Sequence, residues 1–119
     1  MRTISVVDDD PSVRKSLSRL LRVAGYTAAA YESAEAFVEA DGAEISDCVI
    51  LDVHLSGLSG LELQAQLVRS HASCPVLFMT AFNDDSAKAQ ALEAGAVKFL
   101  RKPLDIEYLL EVIRTALDR

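Results

Sequence analysis

The feature that most constrains this chain is an alternation between two kinds of segment. Short apolar runs end abruptly in polar residues, and each is followed by a stretch whose apolar positions recur at helical spacing. Ile4-Ser5-Val6-Val7 stops at Asp8-Asp9-Asp10, and Pro11 stands where the first turn of a helix accepts it. Val13, Leu17, Leu20, Leu21 and Ala24 then share a helical face, with Arg14, Lys15, Arg19 and Arg22 largely on the others and Gly25 as the stop. Thr27–Tyr31 reads as a weak, alanine-rich edge strand. Ser33 is placed to cap a helix carrying Phe37 and Val38, which runs out near Asp41-Gly42. Cys48-Val49-Ile50-Leu51-Asp52, Val76-Leu77-Phe78-Met79 before Thr80, and Val97-Lys98-Phe99-Leu100 before Arg101-Lys102-Pro103 are further strands. Helices are expected from 61 to about 70, from about 85 to 94 with Gly95 as the stop, and after Asp105 on the face of Ile106, Leu109, Leu110, Ile113 and Leu117.

Five strand-then-helix units in succession favour a parallel sheet with helices on both faces. The strands around Val6, Ile50 and Phe78 are apolar at consecutive positions, as strands covered on both sides must be. The expectation is one α/β domain over residues 1–119, a doubly wound five-stranded sheet with five helices. A chain of 119 residues has room for one core of this kind and no second domain. Its 18 acids against 12 bases give a net charge of −6. That argues against direct nucleic-acid binding, which rests on clustered Lys and Arg. Cys48 and Cys74 lie in apolar contexts and read as reduced core or near-core residues. No run approaches the 18 or more apolar residues of a membrane span. The start, Met1-Arg2-Thr3-Ile4, lacks the pattern of an export signal, so a cytoplasmic protein is expected.

Open sheets of this type bind ligands outside the carboxyl ends of their strands. What stands there is Asp8 and Asp9 after the first strand, Asp52 after the third, Thr80 after the fourth and Lys102 after the fifth. Singly each has a bland explanation. The acidic run could be a solvated helix start, Asp52 a turn, Thr80 a cap and Lys102 an exposed base. The convergence of all of them on one edge is what calls for chemistry. Two carboxylates about 5 Å apart repel by about 3 kcal/mol at an effective dielectric near 20. Such a cluster raises one member's pKa or holds a cation. Oxygen donors without clustered Cys or His suit a hard ion, and Mg²⁺ takes one or two carboxylates with waters and a phosphate. With a Lys and a Thr at hand, this is equipment for phosphoryl transfer, in which a carboxylate can itself be the nucleophile. Asp52 is the candidate nucleophile because no acidic neighbour adjoins it, leaving Asp8 and Asp9 to hold the metal.

Val7-Asp8-Asp9-Asp10, Ile50-Leu51-Asp52-Val53, Met79-Thr80-Ala81 and Lys102-Pro103 together resemble the motif set of response regulator receiver (CheY-like) domains, in order and at the family's spacing across nearly the whole chain. The resemblance implies the strand order 2-1-3-4-5. It implies that Asp52 accepts a phosphoryl group from the phosphohistidine of a sensor histidine kinase. It also implies that Asp8, Asp9, Asp52 and the main-chain carbonyl of His54 bind Mg²⁺, or Mn²⁺ in its place. Thr80 would grip the new phosphate, Lys102 would pair with it, and Phe99 would rotate inward as Thr80 moves. The Lys102–Pro103 bond is expected to be cis by the same analogy, and the helix 85–94 with the following strand would switch to form a homodimer on phosphorylation. Val13-Arg14-Lys15-Ser16-Leu17 and Tyr31-Glu32-Ser33-Ala34-Glu35-Ala36-Phe37 look most like FixJ-type receivers, whose usual output is a helix-turn-helix DNA-binding domain. No output domain lies in these residues. The chain is therefore expected to be the N-terminal part of a longer, transcriptional regulator, a stand-alone receiver being the alternative. It would be a signalling phosphoacceptor that takes part in its own phosphorylation and slow dephosphorylation, not an enzyme with turnover.

The sequence departs from the pattern at Ser56, where the family commonly has proline, and this would loosen the loop beside the metal site. His54 and Phe82 occupy the positions two past Asp52 and Thr80 that modulate access of water to the phosphoryl group in the family. The His54 side chain reads as an exposed loop histidine, with a ligand or base as the alternative, and His71 as a surface residue. Three other readings compete. Asp8-x-Asp10 is shared with haloacid-dehalogenase-like phosphohydrolases, but that reading leaves Asp52 idle and needs a longer chain. A phosphorylation-independent pseudo-receiver conflicts with the intact Asp8, Asp9, Asp52, Thr80 and Lys102. Flavodoxin-like cofactor binding lacks a glycine- or serine-rich phosphate loop after the first strand.

Overall fold

The computed structural model describes residues 2–70, 72–81 and 84–118. The elements follow in the order β1 (Thr3–Val7), α1 (Pro11–Val23), β2 (Thr27–Tyr31), α2 (Ala34–Glu39), α3 (Gly42–Ile45), β3 (Cys48–Asp52), α4 (Gly60–Arg69), β4 (Val76–Thr80), α5 (Asp85–Glu93), β5 (Lys98–Arg101) and α6 (Ile106–Leu117). The strands form one parallel sheet in the order β2-β1-β3-β4-β5, as expected. Both faces are covered. Alternate residues of the central strands feed opposite cores: Ile4, Val6, Ile50, Leu77 and Met79 pack with Leu17 and Leu21 of α1 and Leu109 and Ile113 of α6. Val7, Val49, Leu51 and Phe78 pack with Phe37, Leu63, Leu67, Ala87 and Ala91 on the other side. The consecutive apolar runs are explained by these two cores, each full burial of a Leu, Ile or Phe side chain being worth about 1.5–3 kcal/mol. The thin, partly exposed β2 lies at the sheet edge.

The expected five helices are six among the described residues. The helix after Ser33 stops at Glu39 because Asp41 adopts a left-handed conformation (φ 53°), and the short α3 starts anew at Gly42. Elsewhere the local signals act as read: Ser33 accepts from the Ala36 N–H as the N-cap of α2, and α1 ends with Gly25 and Tyr26 donating back to the carbonyls of Arg22 and Leu21. Cys48 and Cys74 are free thiols that pack against opposite cores. Burial pushes their pKa values up to about 12 and about 11, so neither is a ready thiolate. No described helix is long and apolar enough to cross a membrane.

Candidate phosphoacceptor and metal site

The strand order reverses between β1 and β3, so the crevice at their carboxyl ends is open to a ligand. The sequence delivers its acids there because each apolar run stops at that edge. Asp8 directly follows β1 and is fully buried, Asp9 beside it is exposed, and Asp52, the last residue of β3, is buried. One oxygen from each of these carboxylates lies within 4.8 Å of the others. Lys102, just past β5, reaches in and donates from Nζ to Asp8 Oδ2 at 2.8 Å and to Asp52 Oδ2 at 3.0 Å. The Lys102–Pro103 peptide bond that follows is cis. Thr80, the last residue of β4, is fully buried, and its carbonyl accepts the Lys102 N–H. The structure thus brings Asp8, Asp9, Asp52, Thr80 and Lys102 to one edge.

Burial pushes the Asp52 carboxyl above the ordinary carboxylate range and the Asp8 charge adds to this, outweighing the His54 N–H and Lys102, which favour the ionised form. For Lys102, burial alone would lower the pKa, but its bonds to Asp8 and Asp52 and their charges prevail and raise it. Three carboxylates facing one ammonium leave an excess of negative charge that suits a divalent cation. All the donors are oxygens, as a hard ion requires.

The backbone around the acids is fixed. Asp8 Oδ1 accepts the Asp10 N–H, and Asp10 caps α1 by accepting from the N–H and hydroxyl of Ser12. The helix-start reading is therefore right for Asp10, whereas Asp8 is buried and bonded to Lys102. Arg14, assigned from its spacing to the outer faces of α1, reaches back to the Asp8 carbonyl at 2.7 Å. The His54 N–H donates to Asp52 Oδ1 at 2.9 Å. At Gly60 a side chain would strike the Asp52 carbonyl, so only glycine lets α4 start this close to the strand end. Ser59 and Glu62 close a capping box there, a signature legible in Ser59-x-x-Glu62 but not singled out above.

The remaining residues are less committed. Phe99 is half-buried, its ring centroid 6.1 Å from that of Phe78. The exposed His54 imidazole lies 3.6 Å from the Asp84 carboxylate, which also caps α5. The two loops flanking the site are therefore adjacent, a contact the sequence did not signal. Phe82 and His71 lie outside the described residues.

Comparison with known proteins agrees with this architecture. Residues 4–114 match the family model of the response regulator receiver domain. Nodulation protein W of Bradyrhizobium diazoefficiens is 37% identical over 98% of this chain and 51% of its own length. The transcriptional regulatory protein FixJ of the same species is 36% identical over 96% of this chain and 56% of its own length. A crystal structure of FixJ-N superposes with a TM-score of 0.90 at 31% identity, covering 100% of this chain and 95% of that one. The chain thus spans about half the length of the curated relatives it matches. The matched family is one of signalling domains, not of phosphohydrolases.

Proposed function

The chain belongs to the response regulator receiver family of two-component signalling, and on that premise we propose that Asp52 is its phosphoacceptor. The observation that carries this reading is the buried Asp52 carboxylate held by Lys102 beside Asp8, with Asp9 in reach of the same point. The phosphodonor is a phosphohistidine on a sensor histidine kinase. The bond from phosphorus to the imidazole nitrogen breaks as one forms to an Asp52 oxygen, and the leaving imidazole takes a proton from water.

Asp8, Asp9, Asp52 and the His54 main-chain carbonyl would hold Mg²⁺, or Mn²⁺, which when bound offsets negative charge on the transferring group. Lys102 supplies a positive charge held on Asp8 and Asp52. A phosphoryl group brings up to about two negative charges, which Lys102 and the Thr80 hydroxyl would meet. Movement of Thr80 with Phe99 then biases α5 and β5. Taking a population from 1:99 to 99:1 requires about 5.5 kcal/mol of differential contact, within reach of several charge-assisted bonds. The output is a homodimer formed through this face. In a longer regulator of the relatives' length the dimer would act through a separate DNA-binding output domain, residues 1–119 being the receiver.

The test is intact mass and oligomeric state with and without a small phosphodonor and Mg²⁺. The wild-type chain should gain one phosphoryl group, and Asp52→Asn should keep the fold and gain none. Stoichiometric labelling of Asp52→Asn would refute the assignment, and labelling without association would refute the dimer switch.

A further inference from the structure

The loop from Val53 to Ser59 carries the His54 carbonyl and holds no proline. Its ends are anchored: the Val53 N–H donates to the Met79 carbonyl, the His54 N–H to Asp52, and the Gly60 N–H to the Val53 carbonyl. The stretch 55–58 between them is held by the buried Leu55 side chain, the half-buried Leu58 and one bond from a distant element. Glu35, in the first turn of α2, accepts the Leu58 N–H on Oε2 at 3.1 Å, across 23 residues of sequence. Among the described residues it is the hydrogen-bond partner from outside the loop for this stretch.

A second observation places that carboxylate directly against the loop. Gly57 has φ +74°, and a β-carbon there would stand 2.5 Å from Glu35 Oε2. A side chain at 57 would both strain the backbone and displace Glu35. Glu35 is exposed, and its carboxyl is held below the ordinary range first by the Leu58 N–H and then by its own backbone N–H. The bond to Leu58 is thus made by the ionised form. A carboxylate reaching from α2 to a loop amide supplies from outside what a proline would supply from within.

We propose that Glu35 is a positioning residue that tethers the loop after β3 and so fixes the His54 carbonyl toward the metal position. The inference rests on the reading of Asp8, Asp9 and Asp52 as an Mg²⁺ site. Groups that orient a metal ligand commonly contribute about 10–100-fold in affinity, and one exposed bond acting through the backbone belongs at the low end, about tenfold. Three measurements on the full chain test it: Mg²⁺ titration calorimetry, hydrogen exchange at the Leu58 amide in metal-free protein, and the urea midpoint. Glu35→Ala should weaken Mg²⁺ about tenfold and speed Leu58 exchange while leaving the midpoint unchanged. Glu35→Gln keeps an acceptor oxygen and should stay within about twofold of wild type in affinity. Unaltered Leu58 exchange in Glu35→Ala would overturn the tether. Unaltered affinity, or equal loss in the Gln variant, would overturn its role at the metal. A wild-type chain that takes up no Mg²⁺ would instead overturn the metal reading on which that role depends.

Discussion

Lys102→Met removes the ammonium that bridges Asp8 and Asp52 while keeping most of the side chain's volume. At an effective dielectric near 20 the attractions across 2.8 Å to Asp8 and 3.0 Å to Asp52 are each about 6 kcal/mol. Mutual repulsion of carboxylates within 4.8 Å is about 3.5 kcal/mol per pair, so most of that attraction offsets strain already present. Removing one partner of a buried pair costs about 3–5 kcal/mol. The Lys102 side chain is 20% exposed and water can enter, which places the loss near 3 kcal/mol at pH 8. The loss must also depend on pH. Lys102 and its bonds favour the ionised form of Asp52, so without them the Asp52 carboxyl, already raised, rises further. A raised carboxyl binds its proton more tightly in the native state, so its contribution is present at low pH and lost as pH rises through the folded value. In the wild type the raised Lys102 contributes fully throughout this window, because its share is lost only above the ordinary Lys range. Urea denaturation followed by circular dichroism, in metal-free buffer at pH 5 and pH 8, reads the difference. The variant should be destabilised clearly more at pH 8 than at pH 5. Equal losses at both pH values, or a greater loss at pH 5, would refute the view that Lys102 acts by neutralising Asp52 and Asp8.

Gly60→Ala forces a β-carbon onto the Asp52 carbonyl and the Val53 α-carbon, backbone atoms that cannot swing aside. It should cost about 2–3 kcal/mol in urea denaturation and slow labelling by a phosphodonor, whereas a neutral result would mean that α4 slides freely. Gln64 is buried in α4 and donates from Nε2 to the Ala91 carbonyl of α5, which also accepts the Ala96 N–H. Because that carbonyl keeps a partner, Gln64→Leu should cost only about 1 kcal/mol and Gln64→Ala about 2–3 kcal/mol, through the added cavity. Equal cost for the two would show that the hydrogen bond, not packing, joins the helices.

The residues that converge on the carboxylate edge were legible in the sequence because the strands end where apolar runs end. Asp8, Asp52 and Thr80 follow such runs at once and Lys102 after one further residue, and parallel strands covered on both faces must place those ends on one edge. The residues that hold them in place were not legible, for a different reason in each case. Helical spacing assigned Arg14 to an outer face, but a long side chain can return to the carbonyl of Asp8 from there. Asp41 broke the second helix through a left-handed conformation that Asp tolerates but does not announce. Glu35 meets Leu58 because α2, which follows the edge strand β2, reaches past β1 to the loop after the central strand β3. Strand-end chemistry is a local signal and its support is tertiary. On the proposal that Glu35 tethers the loop after β3, the constraint on that loop comes from a carboxylate elsewhere in the chain. Ser56 is for this reason better judged together with Glu35 than alone: a loop without an internal proline can be held from outside, provided Gly57 leaves the carboxylate room.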